Sequence, residues 1–175
     1  MISDTEVVSR GASGVERGDA VAEKSSEVSA ALKLWVVLAR AQAAVARHAE
    51  ADVARHGLTL AEFGILEALF HCGPLLLGDL QRKILVSSGG ITYLVDRLEA
   101  RGLVERRACP SDRRARFAAL TEEGESFVSR IFPEHERAIR RALVGLATAE
   151  QVRVSSLLKR LGTVAAALPI PADEG

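Results

Sequence analysis

Apolar residues in this chain recur mostly at helical spacing, and glycines, prolines and capping pairs mark the breaks between runs. From about Ala30 to His56 the apolar positions Leu32, Trp35, Val36, Leu38, Ala39, Ala43, Val45 and Ala46 lie on several sides of one predicted helix, which ends at Gly57. A helix that is apolar beyond one stripe contacts two partners, its own core and another subunit. Thr59-Leu60-Ala61-Glu62 has the spacing of a capping box and opens a second helix with Phe63, Leu66, Leu69 and Phe70 inward; His71 to Pro74 stops it. Leu75 to Leu77 predicts a very short strand. Gly78 to Leu85 predicts a short helix with Leu80 and Ile84 inward.

The next helix starts at Ser87-Ser88-Gly89-Gly90, carries Ile91, Leu94, Val95 and Leu98 on one stripe, and stops at Gly102. Two short strands follow, 103–108 and 115–120, around a turn-rich tip at Cys109 to Arg113. Thr121 caps a helix with Phe127, Val128, Ile131, Ala138, Ile139, Leu143 and Leu146, which Pro133 is expected to kink. Thr148 to Gln151 reads as a second capping box. The last helix then places Val154, Leu157, Leu158, Leu161, Val164, Ala165 and Leu168 in steps of three and four, a seam that packs along another helix.

The predicted fold is therefore mainly α with a small β-hairpin wing: a winged helix-turn-helix between N- and C-terminal dimerisation helices. Its expected divisions are a disordered tail over 1–29, a dimerisation helix over 30–57, a DNA-binding lobe over 58–121, C-terminal dimerisation helices over 122–168 and a tail over 169–175. The tail 1–29 is assigned from its small residues and its acidic balance, with no apolar run to fold around. It also lacks the basic start and apolar run of a signal peptide. No stretch is expected to provide the ~20 apolar residues of a bilayer span, so the expected address is cytoplasmic, without membrane contact.

The 175 residues carry no net charge, which argues against a nucleic-acid partner until the distribution is read. Between Arg82 and Arg116 nine basic residues (Arg82, Lys83, Arg97, Arg101, Arg106, Arg107, Arg113, Arg114, Arg116) face four acidic ones (Asp96, Glu99, Glu105, Asp112). Local charge governs phosphate binding, because screening weakens distant charge. A solvated charged face is the alternative reading of the same residues.

At 100° per residue, the face of the 87–101 helix opposite its apolar stripe holds Gly89, Tyr93, Asp96 and Ala100, flanked by Thr92 and Arg97. Gly89 and Gly90 allow close backbone approach. Ser87, Ser88 and the free N–H groups of the helix start suit a phosphate. Thr92, Tyr93 and Arg97 reach bases or phosphates. Asp112, Arg113 and Arg114 on the hairpin supply a cation for a minor groove, with Asp112 steadying Arg114.

Together, Leu58 to Phe63, Ser88 to Glu99, Gly102 to Arg106, Asp112 to Arg114 and Leu120 to Gly124 resemble the MarR family of bacterial transcriptional regulators over residues 30–168. The resemblance implies that the first and last helices form a dimer interface and that the wing arginine enters the minor groove. Asp112 and Arg114 match the family's Asp-x-Arg wing pair. Thr92 and Tyr93 fall at recognition positions, the second often Arg in the family, so this Tyr alters the implied operator preference. The Ser-Gly-x-Ile-Thr-Tyr form resembles members that answer quinones, phenols or peroxides. The family's ligand pocket lies between dimer helices and DNA-binding lobe; Trp35, Phe63, Phe70 and His71 are the aromatic candidates to line it.

Cys72 and Cys109 are the redox candidates, as thiols rather than a bridge. Cys109 is ranked first because Arg107 and Arg113 flank it in sequence. The four histidines show no metal spacing, and no phosphate loop, nucleophile elbow or zinc-protease motif is present. The chain reads as a homodimeric regulator without cofactor, not an enzyme. It is expected to bind a pseudo-palindromic double-stranded operator as a repressor released by a small phenolic or quinone-like effector or by oxidation. The alternative is a winged-helix interaction module that does not read DNA.

Overall fold

A computed structural model describes residues 13–84, 88–109 and 112–170. The elements run α1 (Ser13–Ala54), α2 (Leu60–Cys72), β1 (Leu75–Leu76), α3 (Leu77–Ile84), α4 (Ser88–Ala100), β2 (Val104–Cys109), β3 (Asp112–Leu120), α5 (Glu122–Ala142) and α6 (Thr148–Ala167). Two compact units divide inside α1, at Ala44 and Val45. The first contains α1 up to that point. The second contains the rest of the chain, including the last turns of α1.

Helix α1 begins at Ser13, well before residue 30, so the stretch 13–29 expected to be disordered is helical. The reason is local: from Val15 to Val28 there is no proline, one glycine, and half of the residues are good helix formers. Residues 1–12 and 171–175 lie outside the described residues. Its C-terminal end is closed by a Schellman motif: Gly57 (φ +68°) donates to the Ala54 carbonyl at 3.0 Å, and Leu58 to the Val53 carbonyl at 3.2 Å. Gly102 (φ +71°) repeats the device after α4, donating to Glu99 at 2.9 Å while Leu103 donates to Leu98 at 3.0 Å. Both Leu58 and Leu103 are buried, so each cap also seats an apolar side chain in the core.

Contrary to the expectation, Val28–Ala54 is long and apolar enough, by length and composition, to cross a bilayer. Its last turns do other work. Ala49 and Val53 are buried in the second unit, and the buried Asp52 carboxylate meets His135 Nδ1 of α5 at 3.0 Å. A span over the whole segment would break that packing and strand the carboxylate.

The core of the second unit gathers Phe63, Ile65, Leu66 and Leu69 of α2, Leu80 of α3, Ile91, Val95 and Leu98 of α4, Val104, Ala118, and Val128 and Ile131 of α5. The strands form one antiparallel sheet in the order β1-β3-β2. Thus the short 75–76 strand adds a third member to the expected hairpin, pairing Leu75 with Ala118 and Leu76 with Phe117. The hairpin itself is longer than expected. Its strands pair as far as Cys109 and Asp112, and a register shift after Ala108 takes up the extra residues, so only 110–111 separate them rather than a tip at 109–113.

Thr121 caps α5 as expected, accepting from the Gly124 N–H at 2.9 Å and donating to the Gly102 carbonyl at 2.6 Å. The helix continues through Pro133. The cap of α6 differs from the expectation. Ala147, not Thr148, holds the N-cap position, and the box is half complete: Glu150 Oε2 accepts from the Ala147 N–H at 2.8 Å, but alanine offers no oxygen in return. Gln151 ties the start of α6 to the end of α5, its amide donating to the Leu143 and Leu146 carbonyls at 3.2 and 2.9 Å.

Gly124 shows how closely α5 meets the sheet: a Cβ there would sit 1.9 Å from the Leu103 carbonyl oxygen. Gly124→Ala should lower stability to unfolding by about 1–3 kcal/mol in urea titration. Gly145→Ala, where a Cβ meets nothing within 4 Å, should change it by less than about 0.5 kcal/mol.

Candidate nucleic-acid interface

The stripe Ile91, Val95 and Leu98 is buried, with Leu94 partly so, and this fixes the roll of α4. Gly89, Thr92, Tyr93, Asp96 and Ala100 are thereby exposed, the phenol of Tyr93 at 60 %. Gly90 is half-buried. The outward N-terminal half is small and polar apart from one aromatic ring. Ser87 lies outside the described residues. The backbone of Ser88 opens α4, and those of Asp112, Arg113 and Arg114 open β3, but their side chains lie outside what the structure describes, as does that of Cys109.

Arg97 has a different setting from the one expected. Its Nε lies 3.2 Å from Oε1 of Glu62, a carboxylate with no solvent exposure, and its Cζ is 5.9 Å from the centre of the Tyr93 ring. The other oxygen of Glu62 completes the predicted capping box: Oε2 accepts from the Thr59 N–H at 2.7 Å and from Thr59 Oγ1 at 2.9 Å, while the Glu62 N–H donates to Thr59 Oγ1 at 3.2 Å. Among the described residues Oε1 has no hydrogen-bond partner, so the Arg97 contact is an ion pair without hydrogen-bond alignment.

Several other cations of the 82–116 stretch are also paired within the protein. Arg106 of β2 joins both Asp96 and Glu99 of α4 and reaches the Thr92 carbonyl at 3.5 Å. Arg101 donates to the Gly57 carbonyl at 2.8 Å, Arg107 pairs with Glu105, and Arg82 with Asp79. Sequence reasoning counted Arg106 only as charge. Its role was signalled by Asp96 and Glu99 three apart on the outward face of α4, just before the turn into β2.

A cleft of about 780 Å³ lies beside α2 and α3, lined by Leu60, Ala61, Phe63, Gly64, Ala68 and Ile84 with Glu67, His71, Cys72, Lys83 and His135. Two of the four expected aromatic residues are therefore on its wall, Phe63 and His71. Phe70 and Trp35 are not. Phe70 packs against Phe132, ring centres 6.2 Å apart, and Trp35 is 67 % exposed on α1. Glu67, Lys83 and His135 were missed, since nothing in their spacing marks them as neighbours. Cys72 is exposed at this cleft.

The sequence model of the MarR family matches residues 56–115 of the chain. The HTH-type transcriptional regulator MhqR of Bacillus subtilis is 41 % identical over 131 residues, covering 75 % of this chain and 90 % of that protein. Among solved structures, AbsC of Streptomyces coelicolor, a MarR family transcriptional regulator, matches with a TM-score of 0.72 at 26 % identity, covering 78 % of this chain and 95 % of its own. Sco3205, a MarR family transcriptional regulator of the same organism solved in complex with DNA, matches with a TM-score of 0.70 at 27 % identity, covering 82 % and 92 %.

Arg106 ties the exposed face of α4 to the base of the hairpin. Arg106→Ala should leave Asp96 and Glu99 without their counter-ion and raise amide hydrogen-exchange rates in β2 and the last turns of α4 about tenfold. Rates in α6 should stay put; unchanged β2 protection would reduce the cluster to surface charge.

Proposed function

Because this chain belongs to the MarR family of winged-helix, DNA-binding transcriptional regulators, we propose that it acts as a homodimer that represses from a pseudo-palindromic operator. The observation that carries the reading is the exposed, small and polar N-terminal half of α4, with Thr92 and Tyr93 outward beside Gly89. This is the part of a recognition helix that meets base edges. Ser87, Ser88 and the helix start hold a phosphate, and the hairpin residues Asp112, Arg113 and Arg114 follow the backbone or enter the minor groove. Two such lobes related by a two-fold axis read half-sites ~34–36 Å apart.

Support for the dimer comes from apolar surface without a cover in the single chain. Leu32, Trp35 and Val36 of α1 and Val154, Leu157, Leu158, Leu161, Val164 and Leu168 of α6 are all exposed. None of α6 is buried, although its apolar seam is regular. A helix of that composition is stabilised by burying its seam, and a second copy supplies the same two helices in reverse.

The effector we assign to the cleft beside α2 is a small phenolic or quinone-like molecule. The volume, about 780 Å³, lies in the range of ligand sites, and apolar walls with a few polar groups (His71, Lys83, His135) suit a planar ring with oxygen substituents. Bound there, it favours a geometry in which the two reading helices are wrongly spaced, provided it binds that state more tightly. Oxidation is the second route to release. Cys72, exposed at the cleft, supports it at that site; Cys109 remains the candidate near the wing. A repressor of this kind works in the cytoplasm, beside its DNA.

Mobility-shift titration against the DNA upstream of its own gene, at several salt concentrations, tests the reading. Arg114→Ala should weaken binding across sequences and reduce the log–log salt slope by about 1. Sedimentation should give twice the chain mass of 18.7 kDa. A strictly monomeric protein, or one that ignores every duplex at low salt, would overturn the proposal.

A further inference from the structure

We propose that Arg97 is a positioning residue of the reading helix: through its ion pair with the buried Glu62 it holds Tyr93 toward DNA and does not itself read a base. The inference rests on the DNA-reading role given above to α4. Glu62 is fully buried, and its two oxygens are used differently. Oε2 is satisfied within α2's own cap by Thr59, at 2.7 and 2.9 Å. Oε1 has no hydrogen bond among the described residues, and the Arg97 guanidinium, with Nε at 3.2 Å, is the countercharge the structure gives it. A carboxylate removed from water is strongly disfavoured unless a positive group faces it.

This arrangement decides between two uses of Arg97. To reach guanine in the major groove its side chain would have to leave Glu62, and the penalty for stranding a buried carboxylate exceeds what a bidentate base contact returns. The pair therefore stays closed. Arg97 and Tyr93 are one turn apart on α4, and the Arg97 Cζ lies 5.9 Å from the Tyr93 ring centre. The guanidinium, pinned from beneath by α2, is a fixed neighbour for an otherwise exposed ring. It restricts Tyr93 to one side of the helix, and so sets specificity at one remove.

Tyr93 is the single tyrosine in the chain, which allows a test that does not depend on DNA. In protein labelled with 3-fluorotyrosine, the one ¹⁹F resonance reports the surroundings of Tyr93. Glu62→Gln keeps a carbonyl oxygen for the Thr59 cap and removes the charge under Arg97. It should shift or broaden that resonance in the native background and leave it unmoved in an Arg97→Ala background. A resonance indifferent to Glu62→Gln in both backgrounds overturns the proposal.

The second arm uses a duplex selected by the native protein from a random pool. Glu62→Gln and Arg97→Ala should each weaken binding roughly tenfold, and the double variant should be no weaker than either single one. The salt slope should stay as in the native protein, because Arg97 contacts no phosphate, and any base pair at which the substitution profile flattens should be one that Tyr93→Ala flattens as well. Arg97→Lys, which keeps a cation toward Glu62 but lacks the planar fork, should retain most of the affinity. Relaxed preference in Arg97→Ala at a base pair that Tyr93→Ala leaves alone, or loss with lysine equal to loss with alanine, makes Arg97 a reader and overturns the inference. Should no duplex be selected at all, the DNA-reading assignment fails, and the fluorine measurement still judges the Glu62–Arg97–Tyr93 linkage.

Discussion

A carboxylate at zero exposure needs compensation from the folded chain, and Glu62 finds it from the start of α2 and from α4. Its own helix uses it as the far half of a cap, through Thr59. The recognition helix answers with Arg97. The same turn of α2 presents Leu60, Ala61, Phe63 and Gly64 to the cleft. One residue thus caps the start of a helix, holds the neighbouring one by charge, and lies within a turn of the proposed ligand wall. The apolar stripe of α4 decides which side of that helix faces inward, but an apolar stripe alone tolerates small rotations. A directed charge pair does not.

The same logic revises the electrostatics. Charge counted along a sequence is not charge available to a partner. Of the cations between Arg82 and Arg116, Arg82, Arg97, Arg106 and Arg107 pair with carboxylates inside the chain, and Arg101 closes the end of α1 through backbone carbonyls. Much of the local basic excess therefore builds the lobe.

Much of the fold was legible because its signals are short-range. The Thr59 and Thr121 caps, the stops at Gly57 and Gly102, and the stripe from Ile91 to Leu98 each follow from residues within one or two turns. What was missed depends on residues far apart in sequence. Nothing local says that Leu75 and Leu76 pair with Ala118 and Phe117, that Arg97 turns back to Glu62, or that His135 and Lys83 share a wall. The α6 cap was misplaced by one residue because the Glu half of a box is present without its hydroxyl half, and Thr148 next door looked like the missing piece. The start of α1 was misjudged for another reason: helix propensity without an apolar face reads as a tail.

The two-residue strand β1 has an effect out of proportion to its length. By pairing with Ala118 and Phe117 it occupies the open side of β3 at the root of the hairpin, and the outer strand β2 is studded with Glu105, Arg106 and Arg107. Unpaired strand edges recruit one another into growing sheets, and the usual defences are a short cover on one side and charge on the other. The hairpin is in this way kept from templating aggregation on either side.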